Sequence, residues 1–321
     1  MTPFKAAIGL SNPHLQTIFP RLIRRKALFT PVEERLELPD GDFVDLAWSE
    51  APETAQAGNK PIFILFHGLE GSFDSPYANG LMHAFAKQGW LAVMMHFRGC
   101  SGEPNRMARA YHSGETEDAH FFLTELERRF PKQRKVAVGI SLGGNMLLNY
   151  LARYQQAPIL NAATVVSAPL LLGSCAKRIE QGFSKLYRNY LLSSLKRNAL
   201  RKLPLIKQAL PIDSARIEQI QGLEEFDDLL TARLHGFDSA QHYYHQCSGL
   251  ACLEKITIPT QIIHAKDDPF MGTDVIPDFP LPKHVQYHLL PHGGHVGFLS
   301  GSLLKPQFWL EESLPKYYEQ C

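Results

Sequence analysis

Very little in this chain is in excess. Lys and Arg number 33 against 32 Asp and Glu, a net charge of +1, so the basic surplus by which proteins hold nucleic acid is missing. Long apolar runs are missing too. A membrane-crossing helix needs ~20 consecutive apolar residues, and the longest stretches, Ile62–Phe66 and Leu91–Met95, fall far short. The opening residues MTPFKAAIGL lack a charged segment followed by a long apolar one; no secretory leader is expected, and a cytoplasmic location is. Cysteine is scarce. Cys100, Cys175, Cys247, Cys252 and Cys321 are odd in number and show no CxxC spacing, which argues against a disulfide framework or a structural zinc site and for reduced thiols. The 14 histidines include no HExxH pair, and the glycines form neither GxGxxG nor GxxxxGK[ST]. No metal and no cofactor are expected.

What is present is an alternation of strands and helices over 321 residues. Glu33–Leu38 and Asp42–Trp48 flank Asp40-Gly41 and alternate apolar with polar residues, a hairpin pattern. Ile62–Phe66 and Leu91–His96 are apolar throughout and suit strands covered on both faces. Helical spacing marks Pro76–Gln88 and Gly114–Arg129, the latter behind a start that reads as capped, Ser113-Gly-Glu-Thr116. The strand Lys135–Ile140, the helix Leu142–Tyr154 and the strand Ala162–Ser167 follow. From 170 to 245 the pattern is helical without a convincing strand. Alternation then resumes with Thr260–His264, Gln286–Leu290 and a final helix expected over Leu303–Tyr318. This order predicts an α/β fold, a mostly parallel sheet with helices on both faces and an inserted helical cap. We divide the chain into an entry segment (1–30), a core (31–169 and 246–321) and the cap (170–245).

The chemistry concentrates at one edge of that sheet. Gly139-Ile-Ser141-Leu-Gly143 joins a strand directly to a helix. Such a tight turn forces its central residue into a strained backbone and needs neighbours without side chains. It lifts the Ser141 hydroxyl above the sheet, where a base must take its proton during attack. Downstream, His264-Ala-Lys-Asp267-Asp268-Pro269 and Pro291-His292-Gly-Gly-His295 leave the carboxyl ends of their strands, the edge where ligands bind in open α/β sheets. The order serine, acid, histidine is that of an α/β-hydrolase. Two histidines compete for the base. His295, which follows two glycines, is preferred to His292. Asp268, ahead of Pro269, is preferred to Asp267 as its partner. The backbone N–H groups of Leu142 and Leu69 are the candidates for an oxyanion hole, and His67 is read as bracing the Leu69 loop. Arg98 is read as a holder of loop carboxylates.

Further segments carry a likeness beyond this motif. HGLEGS (67–72), HFRGCSGEPNR (96–106), YHSGETED (111–118), GISLGGN (139–145), HAKDDPF (264–270) and HGGHVGF (292–298) resemble those of the YheT-like hydrolases, the AB hydrolase 4 family of the α/β-hydrolase superfamily. Asn12-Pro-His-Leu-Gln-Thr17 is similar to that family's entry segment, and Glu225-Phe-Asp-Asp228 to part of its cap. The resemblance implies an α/β-hydrolase fold, a Ser141–Asp268–His295 triad and hydrolysis of carboxylic esters without a cofactor.

The cap adds a question of partner. Between Cys175 and Lys207 stand Lys177, Arg178, Lys185, Arg188, Lys196, Arg197, Arg201, Lys202 and Lys207 against one acid, Glu180, with Phe183, Leu186, Tyr187, Tyr190 and Leu191 among them. A solvated basic face is one reading; an interfacial surface for anionic lipid is the other. The chain is therefore expected to be a serine esterase that works through an acyl-enzyme on small-molecule or lipid esters, with short- to medium-chain acyl groups first. The alternatives are a lipase or acyltransferase acting on lipid acyl chains and, further off, a non-catalytic binding protein on the same fold.

Overall fold

A computed structural model describes residues 3–54, 60–156 and 158–320; Cys321 lies outside the described residues. The hairpin β1 (Val32–Glu37) and β2 (Phe43–Trp48) runs antiparallel. It joins the parallel strands β3 (Ile62–Phe66), β4 (Leu91–Met95), β5 (Lys135–Ile140), β6 (Ala162–Val166), β7 (Thr260–Ala265) and β8 (Val285–Leu290) in an eight-stranded sheet ordered β1-β2-β4-β3-β5-β6-β7-β8. Strands β3 to β7 are buried along their whole length because helices cover both faces, which explains the unbroken apolar runs of β3 and β4. Ile64, Val93 and Ala137 face the apolar layer that contains Phe122. Phe63, Met94 and Val138 face the opposite layer, with Phe85 and Tyr318.

The crossover helices are α2 (Pro76–Lys87), α3 (Glu117–Arg129) and α4 (Leu142–Arg153). Between β6 and β7 the chain leaves the sheet. It runs through α5 (Leu172–Ile179), α6 (Lys185–Arg201), α7 (Leu203–Ala209), α8 (Ser214–Gln219), α9 (Leu223–Phe226) and α10 (Ala240–Cys247), and α9 widens into a π turn over Asp227–Thr231. These helices carry their own apolar cluster around Leu192, Ile206, Ile217 and Leu230.

One local expectation changes. Residues 303–308 are not helical: β9 (Leu299–Ser302) and β10 (Lys305–Phe308) form a second hairpin, and the last helix, α11, is Trp309–Gln320. Gly301 adopts a left-handed φ of 81°, and Pro306, which donates no hydrogen bond, is tolerated in a two-stranded ribbon that has only edges. The segment Ser113–Thr116 does lead into α3, and its cap is Glu115, whose Oε1 accepts the Glu117 N–H at 2.8 Å. The entry segment holds a helix, α1 (Pro13–Ile23), with Asn12 accepting the His14 and Leu15 N–H groups and proline at its first position, a start signal that the sequence carries openly.

Candidate active site

The turn between β5 and α4 is as cramped as its glycines imply. Ser141 sits at φ 52°, ψ −119°. A Cβ on Gly139 would stand 2.5 Å from the Gly143 carbonyl oxygen, and one on Gly143 would stand 2.4 Å from that of His67. A non-glycine residue held left-handed persists only where its surroundings over-determine it, as happens at functional sites. Here the Ser141 N–H donates to the Val166 carbonyl at 2.8 Å, and helix α4 begins at the next residue.

The carboxyl ends of β7 and β8 bring the partners. His295 Nε2 lies 3.0 Å from Ser141 Oγ, and His295 Nδ1 lies 2.9 Å from Asp268 Oδ2. A carboxylate accepts only, so the Nδ1–H donates to Asp268, which leaves the Nε2 lone pair for the serine hydroxyl. Asp268 is buried, 5% exposed, and its other oxygen accepts the Phe270 N–H at 2.8 Å. The Phe270 ring stacks on the imidazole at 3.9 Å and 2°, which leaves the ring little freedom to tilt.

Asp267 and His292 form a separate pair. His292 Nδ1 is 3.1 Å from Asp267 Oδ2, while Asp267 Oδ1 accepts the Gly294 N–H at 3.0 Å. Together they brace the loop that carries His295. His67 is also a brace. Its Nδ1–H donates to Gly68 O at 2.7 Å and its Nε2 accepts the Phe97 N–H at 3.0 Å, both roles of a neutral ring. Burial pushes its pKa down to about 3.

The loop after β3 passes directly over the serine: a Cβ on Gly68 would lie 3.2 Å from Ser141 Cβ. The Leu69 N–H donates to no group among the described residues. Leu142, first in α4, has no carbonyl of its own helix four residues back to which its N–H could donate. The loop is pinned at Glu70, a left-handed residue at φ 54°. Its N–H donates to Tyr111 Oη at 2.8 Å, that hydroxyl donates to Oε1 at 3.0 Å, and Asn198 of α6 donates to Oε2 at 2.6 Å. Burial raises the Glu70 carboxyl above its usual range. The predicted oxyanion loop is thus tied to the helices inserted after β6, which sequence reasoning had no means of finding.

A second unforeseen contribution comes from α1. Thr17 Oγ1 accepts the backbone N–H of His295 at 2.9 Å. The Gln16 amide accepts the Leu299 N–H at 2.7 Å and donates to the Leu299 and Leu10 carbonyls at 3.0 and 2.8 Å. Gly294 and Gly297 permit this approach, since a Cβ on either would stand 2.4 Å from Pro13 O or 2.0 Å from Gln16 O. From the other side, Ser167 Oγ accepts the Val296 N–H at 3.1 Å.

Ser141 opens into a cavity of about 200 Å³ beneath the inserted helices. Leu142, Leu172, Leu191, Leu195 and Leu230 furnish apolar wall. Polar groups line it too, among them Glu70, Asn198, Lys202 and, in the π turn, Asp227; burial pushes the Asp227 pKa up to about 6, and Tyr244 Oη donates to it at 2.7 Å.

Much of the basic stretch on these helices is occupied internally. Lys202 is buried and donates to Asn105 Oδ1 at 2.6 Å and to the Arg109 carbonyl at 2.8 Å, and burial lowers its pKa to about 8. Arg188 holds Glu180 at 2.7 Å and the Gln221 carbonyl at 2.6 Å, Arg201 holds the Gly102 carbonyl at 2.8 Å, and Lys196 holds those of Glu218 and Ile220. The stretch is not one uniform charged face, because its long side chains tie the helices to one another and to the core. Arg98 is likewise consumed, by Asp118 at 2.6 Å, Asp40 at 2.8 Å and Asp42 at 2.9 Å.

Residues 61–302 match the family model described as the alpha/beta hydrolase fold. The chain is 57% identical over 310 residues to "Putative esterase YheT" of Escherichia coli, which covers 96% of this chain and 91% of that one. It is 29% identical over 281 residues to "Phospholipase ABHD3" of Mus musculus, covering 84% of this chain and 68% of the relative. Among solved structures, the Pyrococcus furiosus esterase Pf2001 matches with a TM-score of 0.58 at 12% identity over 99% of both chains, a likeness of fold.

Proposed function

As a member of the α/β-hydrolase fold family, in its YheT-like branch, this chain is a hydrolase, and we propose that it cleaves carboxylic esters with Ser141 as nucleophile. The observation that carries this reading is the continuous path Ser141–His295–Asp268, at 3.0 and 2.9 Å. Ser141 Oγ adds to the ester carbonyl while His295 Nε2 takes its proton. The tetrahedral oxyanion is held by the N–H groups of Leu69 and Leu142, each worth ~3–4 kcal/mol to the transition state. On collapse the carbon–oxygen bond to the alcohol breaks, and the alcohol leaves with the proton carried by His295. Water then attacks the acyl-Ser141 ester with His295 again as base, which returns the acid and the free serine. Asp268 keeps the imidazole in the Nδ1–H tautomer and stabilises the imidazolium.

The chamber supports one choice about the substrate. Its leucine-rich wall beneath the helical cap, residues 170–245, offers burial to an acyl chain, at ~0.8 kcal/mol per methylene. That favours medium or longer chains over acetate esters, and it brings the lipase reading level with that of a short-chain esterase.

Labelling with a fluorophosphonate, compared between wild type and Ser141→Ala, tests the nucleophile. A p-nitrophenyl ester series from acetate to palmitate then reads the chamber. We expect labelling that disappears in the variant and specificity that climbs beyond butyrate. A folded wild type that neither labels nor hydrolyses any member of the series would overturn the proposal in favour of a binding protein.

A further inference from the structure

Helices α1 and α6 meet along a seam. The His14 ring lies 4.3 Å from that of Phe183, its Nδ1 is 3.0 Å from Tyr187 Oη, and the Arg21 guanidinium sits 5.0 Å over the Tyr190 ring. Outward of these contacts α1, and α6 with the 3-10 turn Gly182–Ser184 that leads into it, carry large apolar side chains to the surface. Leu15, Ile18 and Leu22 are 44%, 37% and 51% exposed, and Phe183, Leu186 and Tyr190 are 48%, 56% and 55% exposed. Each trio is spaced i, i+3, i+7, which makes one stripe along α1 and one along the turn and first half of α6. Single exposed leucines are ordinary; two adjoining stripes are a patch that marks an interaction site.

The two segments that carry the stripes bear charge of one sign, and the acids nearest them are taken up by ion pairs, Glu180 with Arg188 and Glu311 with Arg24. Neither residues 11–30 nor residues 183–210 contain an acid, and Arg21, Arg25, Lys26 and Lys185 are exposed there. A second copy of this chain docking on a two-fold axis would set these cations against themselves. An anionic, apolar, extended partner satisfies both features. The seam also adjoins the reacting groups: the Tyr187 ring lies 5.0 Å from Phe270, which stacks on His295.

We propose that the seam between α1 and α6 is a docking surface for an anionic lipid bilayer, with the two apolar stripes in the headgroup region and the cations on the phosphates. An amphipathic surface of this kind rests in the interface rather than spanning it. The proposal deepens the ester-hydrolase reading by naming where the substrate is collected. It is measured without turnover, so the two readings fail separately.

The test is co-sedimentation of the full chain with vesicles of phosphatidylcholine alone and of phosphatidylcholine mixed with phosphatidylglycerol. Binding to the mixed vesicles, lost at about 0.5 M salt where screening is short-ranged, is the expected result. Leu22→Glu with Leu186→Glu should weaken it at least about tenfold, and Lys26→Gln with Lys185→Gln about 25-fold, each cation near such a surface being worth about fivefold. Hydrolysis of a soluble p-nitrophenyl ester should be unchanged in both pairs, which also shows that they fold. Absence of vesicle binding by wild type, equal binding to the neutral vesicles, or unaltered binding by both pairs would each overturn the proposal. So would a wild-type dimer that becomes monomeric in the leucine pair without any vesicle binding.

Discussion

The Thr17 hydroxyl accepts the backbone N–H of His295 across 278 residues of chain. The reason lies in the loop that it holds. Gly293, Gly294, Val296 and Phe298 all have positive φ, a sequence of conformations that cannot satisfy its own backbone through regular local bonding. Helix α1 supplies the missing acceptor and with it the height of the imidazole over Ser141. Thr17→Val, which keeps the shape and removes the oxygen, should lower kcat about 10- to 100-fold, the scale on which small misplacements act. Thr17→Ser should restore it. A folded Thr17→Val enzyme with wild-type kcat would limit the contact to stability.

Ser141→Ala and His295→Ala should each lower kcat by about 10⁴-fold or more, and the double variant should be no worse than either, because the residues act as one unit. His292→Ala should retain most activity, since His292 bonds to Asp267 at 3.1 Å and only steadies the loop. Steady-state kinetics on one ester distinguishes these outcomes. An inactive His292→Ala beside an active His295→Ala would exchange the two assignments.

Arg98 is the hub of a buried ionic group, with a side chain 1% exposed between Asp42 at 0% and Asp118 at 7%. Removing one partner leaves carboxylates uncompensated in a place water does not reach. Arg98→Met should therefore cost about 3–5 kcal/mol in chemical denaturation. A loss below 1 kcal/mol would mean that these acids are protonated or hydrated in the variant.

His264 is buried with Nδ1 2.6 Å from Tyr287 Oη, and burial lowers its pKa from 6.5 to about 4. Between those values the unfolded chain binds a proton that the native chain does not, so stability falls as the pH drops through the window. The slope for this group is ~1.4 kcal/mol per pH unit. The difference in unfolding free energy between wild type and His264→Gln should change by about that slope below pH 6.5 and be flat above it. Asp227, whose raised pKa of about 6 acts in the opposite direction, is present in both proteins and cancels. A difference independent of pH would show that His264 titrates alike in both states.

The parallel strands were legible because their information is local: a strand buried on both faces is mostly apolar, and Ile62–Phe66 and Leu91–Met95 are so at every position. The serine turn was legible for a related reason, since few residue types survive the crowding around Ser141. Residues 303–308 misled because Leu303 and Leu304 look like the start of an apolar helical stripe. In the folded chain they form the tip of a hairpin, 47% and 96% exposed.

By itself, then, the sequence determined the order of the sheet strands and crossover helices up to β8, the turn at Ser141, and the edge of the sheet at which Asp267, Asp268, His292 and His295 gather, because periodicity and steric exclusion act over a few residues. Only the tertiary structure decided that His295 rather than His292 lies within hydrogen-bond reach of Ser141, that α1 holds its loop, that Asn198 ties down Glu70, and that Lys202 points inward. Those outcomes depend on hydrogen bonds of 2.6 to 3.0 Å between segments up to 283 residues apart, and no pattern of neighbouring residues carries that information.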